Sequence, residues 1–345
     1  MARMKDSANL DSLRTLAIAL VVFSHLGLML GWSSPAWEMV VLGRIGVAVF
    51  FVHTSLVLMW SLDRHAGSAT PFLIRRFFRI YPLAMFIVAL TAAGNWLGGV
   101  PLDRWTLISN LALVQNIPDL SSNPGPLWSL PYEVQMYLAL PAIHAFIRPA
   151  STLVRAALLL AGSIALLSIA QAVGIDFRLV RFLPCFLAGV LAYAMSGHQS
   201  RTLHPATLLA IVAAAAAVAP ALVAAGASET LVMWVVCLVL GVSIPRCREV
   251  DTGWVGRWAK TGATYSYSIY LTHLFAISAG FGIAAWMPAP LRWAGFVMML
   301  VAWPRIAYRY VEAPGIRLGA AVIRRFFPAG ERLDRPSAQP AQSQT

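Results

Sequence analysis

The sequence predicts an all-α protein that crosses a membrane about ten times. Of its 345 residues, 59% are hydrophobic and only 12% are charged, a composition too apolar for a water-soluble domain. The apolar residues form runs long enough to cross roughly 30 Å of hydrocarbon. The runs cover residues 12–30, 38–61, 80–97, 128–147, 152–173, 179–196, 206–225, 229–244, 264–284 and 290–310.

The distribution of Lys and Arg predicts how these spans are oriented. If the N-terminus is cytoplasmic, most basic residues fall in inward segments and only a few flank the outward ones. Because Lys and Arg accumulate in cytoplasmic loops, both termini are predicted to be cytoplasmic. The net charge of +12 is spread between the apolar runs. It forms no basic block with interleaved aromatic residues, so nucleic acid is not a predicted partner.

The chain is expected to form one transmembrane domain over residues 1–327, followed by a disordered cytoplasmic tail over residues 328–345, which contain Pro, Gln and Ser. Two loops stand out: the basic inward loop 62–79 and the long outward loop 98–127, whose turn-rich end suits a lid over a membrane cavity. The three cysteines form neither an even disulfide framework nor a pair at metal-ligand spacing. No pair of histidines or carboxylates has a recognisable metal spacing either.

The first span, "LDSLRTLAIALVVFSH", contains Asp11, Arg14 and His25. The eleven steps from Arg14 to His25 turn a helix through about 1,100°, which places both side chains on one face, roughly 16 Å apart. Asp11, three residues before Arg14, shares that face. A polar side chain in a span is costly unless it faces a cavity or a partner. These residues are therefore functional candidates, with helix–helix hydrogen bonding as the alternative.

The segment "FLIRRFFRIYP", residues 72–82, concentrates Arg75, Arg76 and Arg79 at the predicted cytoplasmic entrance of the third span. Arg75 and Arg79 are one helical turn apart, and guanidinium forks suit phosphate geometry. The segment therefore indicates binding of a phosphorylated ligand. Ordinary anchoring of the span by positive charge is the alternative.

The segment "GPLWSLPYEVQMYLALP", residues 125–141, lies at the predicted outer start of the fourth span. Trp128 and Tyr132 share one helical stripe with Gln135, while Glu133 and Tyr137 share another. An interfacial aromatic belt accounts for the rings, but it does not account for the carboxylate of Glu133.

The segment "YSYSIYLTHLF", residues 265–275, places Ser266, Tyr270 and His273 on one helical face. This pattern is typical of a polar site inside a helix bundle. A satisfied interhelical hydrogen-bond network is the alternative.

Together these segments resemble the membrane-bound acyltransferase-3 family, the bacterial O-acyltransferases that modify surface polysaccharides and related acceptors. The resemblance rests on six segments in family order over about residues 8–320: "LDSLRTLAIALVVFSH", "GRIGVAVFFVHTS", "RRFFRIYP", "LWSLPYEVQMYLALP", "YSYSIYLTH" and "YVEAP". One departure is that Thr54-Ser55 replaces the family's usual Ser-Gly. This replacement puts close backbone packing there in question.

The resemblance implies transfer of an acyl group, commonly acetyl, from cytoplasmic acyl-coenzyme A to a hydroxyl of an acceptor at the outer face of the cytoplasmic membrane. Acyl-coenzyme A would be a co-substrate, with no bound cofactor. Arg14 is expected to position the donor, and His25 to act either as general base or as a transient acyl carrier. The supporting residues of the site fall into two sets. Donor phosphates are assigned to Arg75, Arg76 and Arg79; contact with a saccharide or glycolipid acceptor, or support of it, is assigned to Trp128, Tyr132, Glu133, Tyr270, His273 and Asp11. Glu312 is expected to form an ion pair with neighbouring arginines instead of taking part in catalysis.

A proton-coupled secondary transporter or flippase is the rival hypothesis, since buried His and Arg on ten spans would suit one. The sequence lacks the corresponding broken helices in two halves that such transporters show. A transporter would also not consume acyl-coenzyme A, which separates the two hypotheses.

Overall fold

The computed structural model describes residues 7–64, 67–148, 152–175, 180–197, 201–250 and 253–327. Over these residues the chain forms α-helices with short 3₁₀ and π turns, and no β-strand. The predicted tail, 328–345, lies outside them. The helices are α1 (Ala8–Met29), α2 (Met39–Arg64), α3 (Ala69–Leu97), α4 (Arg104–Leu111), α5 (Leu130–Ile147), α6 (Thr152–Ala172), α7 (Leu183–Met195), α8 (Ala206–Ala224), α9 (Glu229–Ser243), α10 (Trp254–Ile277), α11 (Ala289–Ala307) and α12 (Ala313–Phe326).

The prediction of an all-α membrane protein is confirmed for the described part of the chain. Each predicted span corresponds to one helix, and α4 and α12 are additional. Within the described ranges, six helical segments are long and apolar enough to cross a membrane: α1, α2, α3, α6, α8 and the stretch Glu229–Arg246 that begins with α9. The total of ten spans and the orientation of the termini stay predictions.

The start of α3 differs from the sequence expectation. The helix begins at Ala69 instead of near residue 80, so Arg75, Arg76 and Arg79 lie inside it and not in a preceding loop. Arginine is a good helix former, and Pro71 sits in the first turn, where its missing amide does little harm. A search for apolar runs leaves these arginines out of the predicted span, although the helical backbone continues through them.

Helix α2 forms the centre of the bundle, and 78% of its most apolar stretch is buried. A Cβ at Gly46 would lie 2.5 Å from the carbonyl oxygen of Ala17, so this glycine lets α1 approach α2 closely. A Cβ at Gly189 of α7 would lie 2.2 Å from the carbonyl oxygen of Val52 and 2.8 Å from Cβ of Ser55. Close packing at Thr54-Ser55 is thus provided by a glycine on the opposing helix.

The loop that was expected to be a lid folds into the bundle. After α4 the chain continues through a segment of residues 112–129, which we call the re-entrant segment and which ends in the 3₁₀ turn Gly125–Ser129. The Tyr81 hydroxyl, midway along α3, donates to the carbonyl of Ala112 at 3.0 Å. The Tyr270 hydroxyl, in α10, donates to the carbonyl of Pro126.

The irregular backbone of the re-entrant segment is bonded by buried amide side chains. Asn110 Nδ2 donates to the carbonyl of Ser121 at 2.8 Å, and Gln115 Nε2 donates to that of Leu127 at 3.2 Å. Non-helical backbone at membrane depth is tolerated where protein satisfies its polar groups. The segment therefore brings the start of α5 into the interior of the bundle.

Candidate active site

A cavity with an empty volume of about 660 Å³ opens among α1, α2, α3, α5 and α10. Its ionic lining consists of Arg14, Arg76, Arg79 and Glu133. Three guanidinium groups against one carboxylate give the lining an excess of positive charge, which favours an anionic ligand.

The three arginines are held by different contacts. Arg14 Nε donates to Ser266 Oγ on α10 at 2.6 Å. Arg79 Nη2 lies 3.7 Å from Glu312 Oε1. The buried Nε of Arg76 has no hydrogen-bond partner among the described residues.

Arg76 and Arg79, not Arg75 and Arg79, line the cavity together. Spacings of three and of four residues both place side chains on one helix face, so the rotation of α3 against its neighbours decides that Arg76 and not Arg75 joins Arg79. The one-turn spacing identified the cluster but not the pair that faces the cavity.

Glu133 also lines this cavity, where it accepts a hydrogen bond from the Tyr137 hydroxyl at 2.6 Å. The sequence placed Glu133 beside an outer aromatic surface. In the structure Trp128 and Tyr132 pack instead against Phe182, with ring centroids 5.4 and 4.9 Å away, and they are not part of the cavity lining. The two stripes predicted for this segment therefore face different surroundings.

Glu312 is fully buried in the π turn that joins α11 to α12. Its Oε2 accepts a hydrogen bond from Ser268 Oγ at 2.7 Å, and its Oε1 pairs with Arg79. The expected ion pair with an arginine is present.

His25 and His273 form a pair between α1 and α10. His273 Nε2 lies 3.3 Å from His25 Nδ1, and the ring centroids are 4.9 Å apart. Since Arg14 contacts Ser266 on the same helix, the α1 face shared by Arg14 and His25 is directed at α10. This is the arrangement that their spacing predicts.

The histidine pair lies beside the cavity, not in its lining. Tyr270 lines the cavity, and its ring centroid is 6.2 Å from that of His273. The Tyr270 hydroxyl also forms a hydrogen bond of 2.7 Å with Ser129 Oγ. Tyr270 therefore connects the cavity with the pair, while Asp11 lies in the first turn of α1 outside the lining.

Sequence reasoning missed several residues of the cavity, among them two with titratable side chains. Tyr267 lines it and donates its hydroxyl to the carbonyl of Ile80 at 2.7 Å. His53 is buried and also part of the lining. The run of tyrosines in "YSYSIY" is the signal that could have identified Tyr267.

A cationic cavity next to an imidazole pair in a helical membrane protein is compatible with a transferase and with a transporter alike. Comparison with protein families identifies the chemical group that is transferred as an acyl group, because the family described as an acyltransferase domain matches residues 7–307. The chain belongs to this family and is an enzyme that transfers acyl groups.

Two relatives agree with this assignment. A protein of Komagataeibacter xylinus that carries the name "Putative membrane-bound transacylase BcsY" is 28% identical over 338 residues. The match covers 89% of this chain and 82% of that protein. The acyltransferase MdmB of Streptomyces mycarofaciens is 37% identical over 118 residues, covering 31% of this chain and 30% of that protein. The chain thus matches less than a third of MdmB but most of BcsY. No solved structure matches.

Proposed function

We propose that this enzyme is an O-acyltransferase of the cytoplasmic membrane. It moves an acetyl group from cytoplasmic acetyl-coenzyme A to a hydroxyl of a saccharide or glycolipid at the outer face, with both termini in the cytoplasm. The family supports acyl transfer, and the distribution of Lys and Arg supports the orientation.

The observation that carries the proposal is the cationic cavity. With α3 starting in the cytoplasm, Arg76 and Arg79 lie about 10 and 15 Å along the helix from its first residue, a depth that a cytoplasmic ligand reaches. Guanidinium groups bind phosphate oxygens in a bidentate manner. The phosphates of coenzyme A therefore fit Arg76 and Arg79, with Arg14 further in; Arg75 belongs to the approach to the cavity.

His25 is the proposed catalytic residue. Its Nδ1 lies 2.9 Å from the carbonyl oxygen of Val21. A carbonyl only accepts, so Nδ1 carries the hydrogen and Nε2 carries the lone pair. Nε2 takes the proton of the acceptor hydroxyl while that oxygen attacks the thioester carbonyl. The C–S bond then breaks and the sulfur receives the proton, giving the ester and free coenzyme A.

The acceptor approaches from the other side of the membrane. His25 lies one turn before the end of α1, which the orientation places near the outer face. Trp128 and Tyr132 keep part of their rings exposed and supply the apolar surface that sugar C–H faces favour. Glu133, in contrast, lines the cavity proposed for the donor.

Mass spectrometry of surface glycans and glycolipids, with and without the gene, tests the proposal. We expect a product carrying an added acetyl mass that disappears with the gene and returns on complementation. Inverted membrane vesicles that contain the protein should release coenzyme A from acetyl-coenzyme A. Unchanged glycans and no consumption of acetyl-coenzyme A would contradict the proposal, and would instead suit a transporter.

A further inference from the structure

We propose that His273 is a positioning residue: together with the Val21 carbonyl it holds His25 in the tautomer that leaves Nε2 free, and its Nε2 accepts a hydrogen bond from the Nδ1–H of His25 during transfer. This inference rests on the proposed role of His25. It assigns His273 a role different from orienting the acceptor, which the sequence resemblance implies.

The hydrogen-bond geometry fixes the tautomer of His273 first. Its Nδ1 lies 2.8 Å from the carbonyl oxygen of Tyr270 and 3.2 Å from that of Ile269. Because both partners can only accept, Nδ1 of His273 is the protonated nitrogen. Nε2 then has a lone pair, and this lone pair faces His25 Nδ1 at 3.3 Å.

The same reasoning extends to His25. Its Nδ1 hydrogen has two acceptors, the Val21 carbonyl oxygen and His273 Nε2. When His25 Nε2 takes the hydroxyl proton, the ring becomes an imidazolium whose Nδ1–H is already bonded to both. In serine hydrolases a carboxylate orients the catalytic histidine in this way. Here a neutral imidazole performs the task inside the bundle, where a second charge would be costly.

The burial of His273 excludes direct contact with an acceptor in this structure. Its side chain is 0% exposed, and both ring nitrogens are occupied, one by backbone and the other by His25. The hydrogen bonds from His273 Nδ1 to carbonyls of α10 are not needed by the helix backbone, since each of these carbonyls already accepts a hydrogen bond from the amide one turn later. The contact with His25 is therefore the part of the interaction that a packing role does not explain.

Two isosteric substitutions separate the two ring nitrogens. In His273→Gln the side-chain amide reaches the position of Nε2, so an oxygen can still accept from His25. In His273→Asn the amide lies near the position of Nδ1, which keeps the bond to the Tyr270 carbonyl but leaves His25 Nδ1 without this acceptor. A role confined to α10 packing predicts that Asn is the better replacement.

The measurement uses inverted membrane vesicles that contain the full chain and the cell's own acceptors, with radiolabelled acetyl-coenzyme A. We expect His273→Asn to lower kcat by about tenfold or more, as removal of support for a general base does. The KM for acetyl-coenzyme A should be unchanged. His273→Gln should retain activity within about threefold of the wild type on the same reasoning. Added imidazole should also partly restore a His273→Ala variant.

Equal activity of the Asn and Gln variants, whether high or low, would overturn the inference. So would a change confined to the KM. The His25→Ala variant in the same vesicles distinguishes the two proposals. If it retains turnover, the assignment of His25 fails; if it is inactive while His273→Asn is fully active, only the role of His273 fails.

Discussion

The arginine cavity and the histidine pair are neighbours with opposite electrostatic character. The cavity gathers Arg14, Arg76 and Arg79 around one lining carboxylate, and the buried Nε of Arg76 lacks a partner among the residues that the structure describes. The histidine pair satisfies its hydrogen bonds through backbone carbonyls and through its own two rings. The charge of the first region suits an anionic ligand, and in the proposed mechanism the second region holds a neutral base.

In the proposed mechanism, donor binding and proton transfer are therefore separate tasks of adjacent regions. Tyr270 lies between them, since it lines the cavity and neighbours His273. In the proposed mechanism, the acyl end of the donor passes Tyr270 to reach His25, while the phosphates remain with the arginines. Changes in the two regions should therefore alter different kinetic constants.

The largest expected effect is in the histidine region. His25→Ala should lower acyl transfer by a hundredfold or more, because losing a general base costs about 10²–10⁴ in rate. Transfer into envelope material measures the change, and immunoblots of membranes check expression. His204→Ala, at an exposed histidine beside α8, is the matched control and should retain full activity. More than about a tenth of wild-type turnover in His25→Ala would contradict a general-base role. An acyl-carrier role instead predicts an acylated His25 when acetyl-coenzyme A is supplied without acceptor.

The next effect separates the cavity from the pair. Arg76→Gln and Arg79→Gln together should raise the KM for acetyl-coenzyme A by about tenfold or more, because two charge-assisted hydrogen bonds to phosphate are lost. Arg75→Gln, one position away but outside the lining, should raise the KM by no more than about twofold, as for an ionic contact screened by solvent. Reporter fusions verify that each variant keeps its orientation. An equal effect of Arg75 and Arg76 would show that charge at this end of α3, and not the cavity, matters.

A change in the packing of α2 against α7, outside both regions, should lower the stability of the protein without affecting the cavity or the histidine pair selectively. Gly189→Ala forces a Cβ to 2.2 Å from the Val52 carbonyl oxygen, an overpacking that typically costs about 1–3 kcal/mol. Gly162→Ala on α6 meets no described atom within 4 Å and should be neutral or slightly stabilising because alanine favours helix. Thermal unfolding in detergent measures both variants. Equal Tm values would mean that α2 and α7 are not packed as closely as described.

The smallest expected effect concerns Glu133. Glu133→Gln removes the carboxylate from the cavity lining but keeps an oxygen for the Tyr137 hydroxyl, so the KM for acetyl-coenzyme A should fall by a few-fold, as for one modest charge interaction. Coenzyme A release and product formation are followed together. If transfer falls while release of coenzyme A persists, Glu133 belongs to the acceptor side, as the sequence resemblance implies.

The sequence was informative where regular geometry decides the outcome. The eleven-residue spacing of Arg14 and His25 correctly predicts one shared helix face, because an α-helix repeats reliably over three turns. The pattern of Tyr270 and His273 likewise predicts that they line one side of α10. These inferences need only the period of a helix.

The sequence was less informative where tertiary packing decides the outcome. Spacing cannot tell which of Arg75 and Arg76 faces the cavity, because that depends on how α3 is rotated against its neighbours. The path of the re-entrant segment depends on distant hydrogen bonds such as that between Tyr81 and Ala112. For the same reason, neither the separation of Glu133 from Trp128 nor the role of Gly189 opposite Ser55 could be predicted locally.

The most direct test of the separation between binding and chemistry is the dissociation constant of acetyl-coenzyme A, measured on purified protein in nanodiscs. His25→Ala should bind acetyl-coenzyme A as tightly as the wild type while failing to transfer its acyl group. The Arg76→Gln, Arg79→Gln double variant should bind it at least about tenfold more weakly, as expected when charged phosphate contacts are lost. Loss of binding in His25→Ala, or wild-type binding in the arginine variant, would contradict this separation.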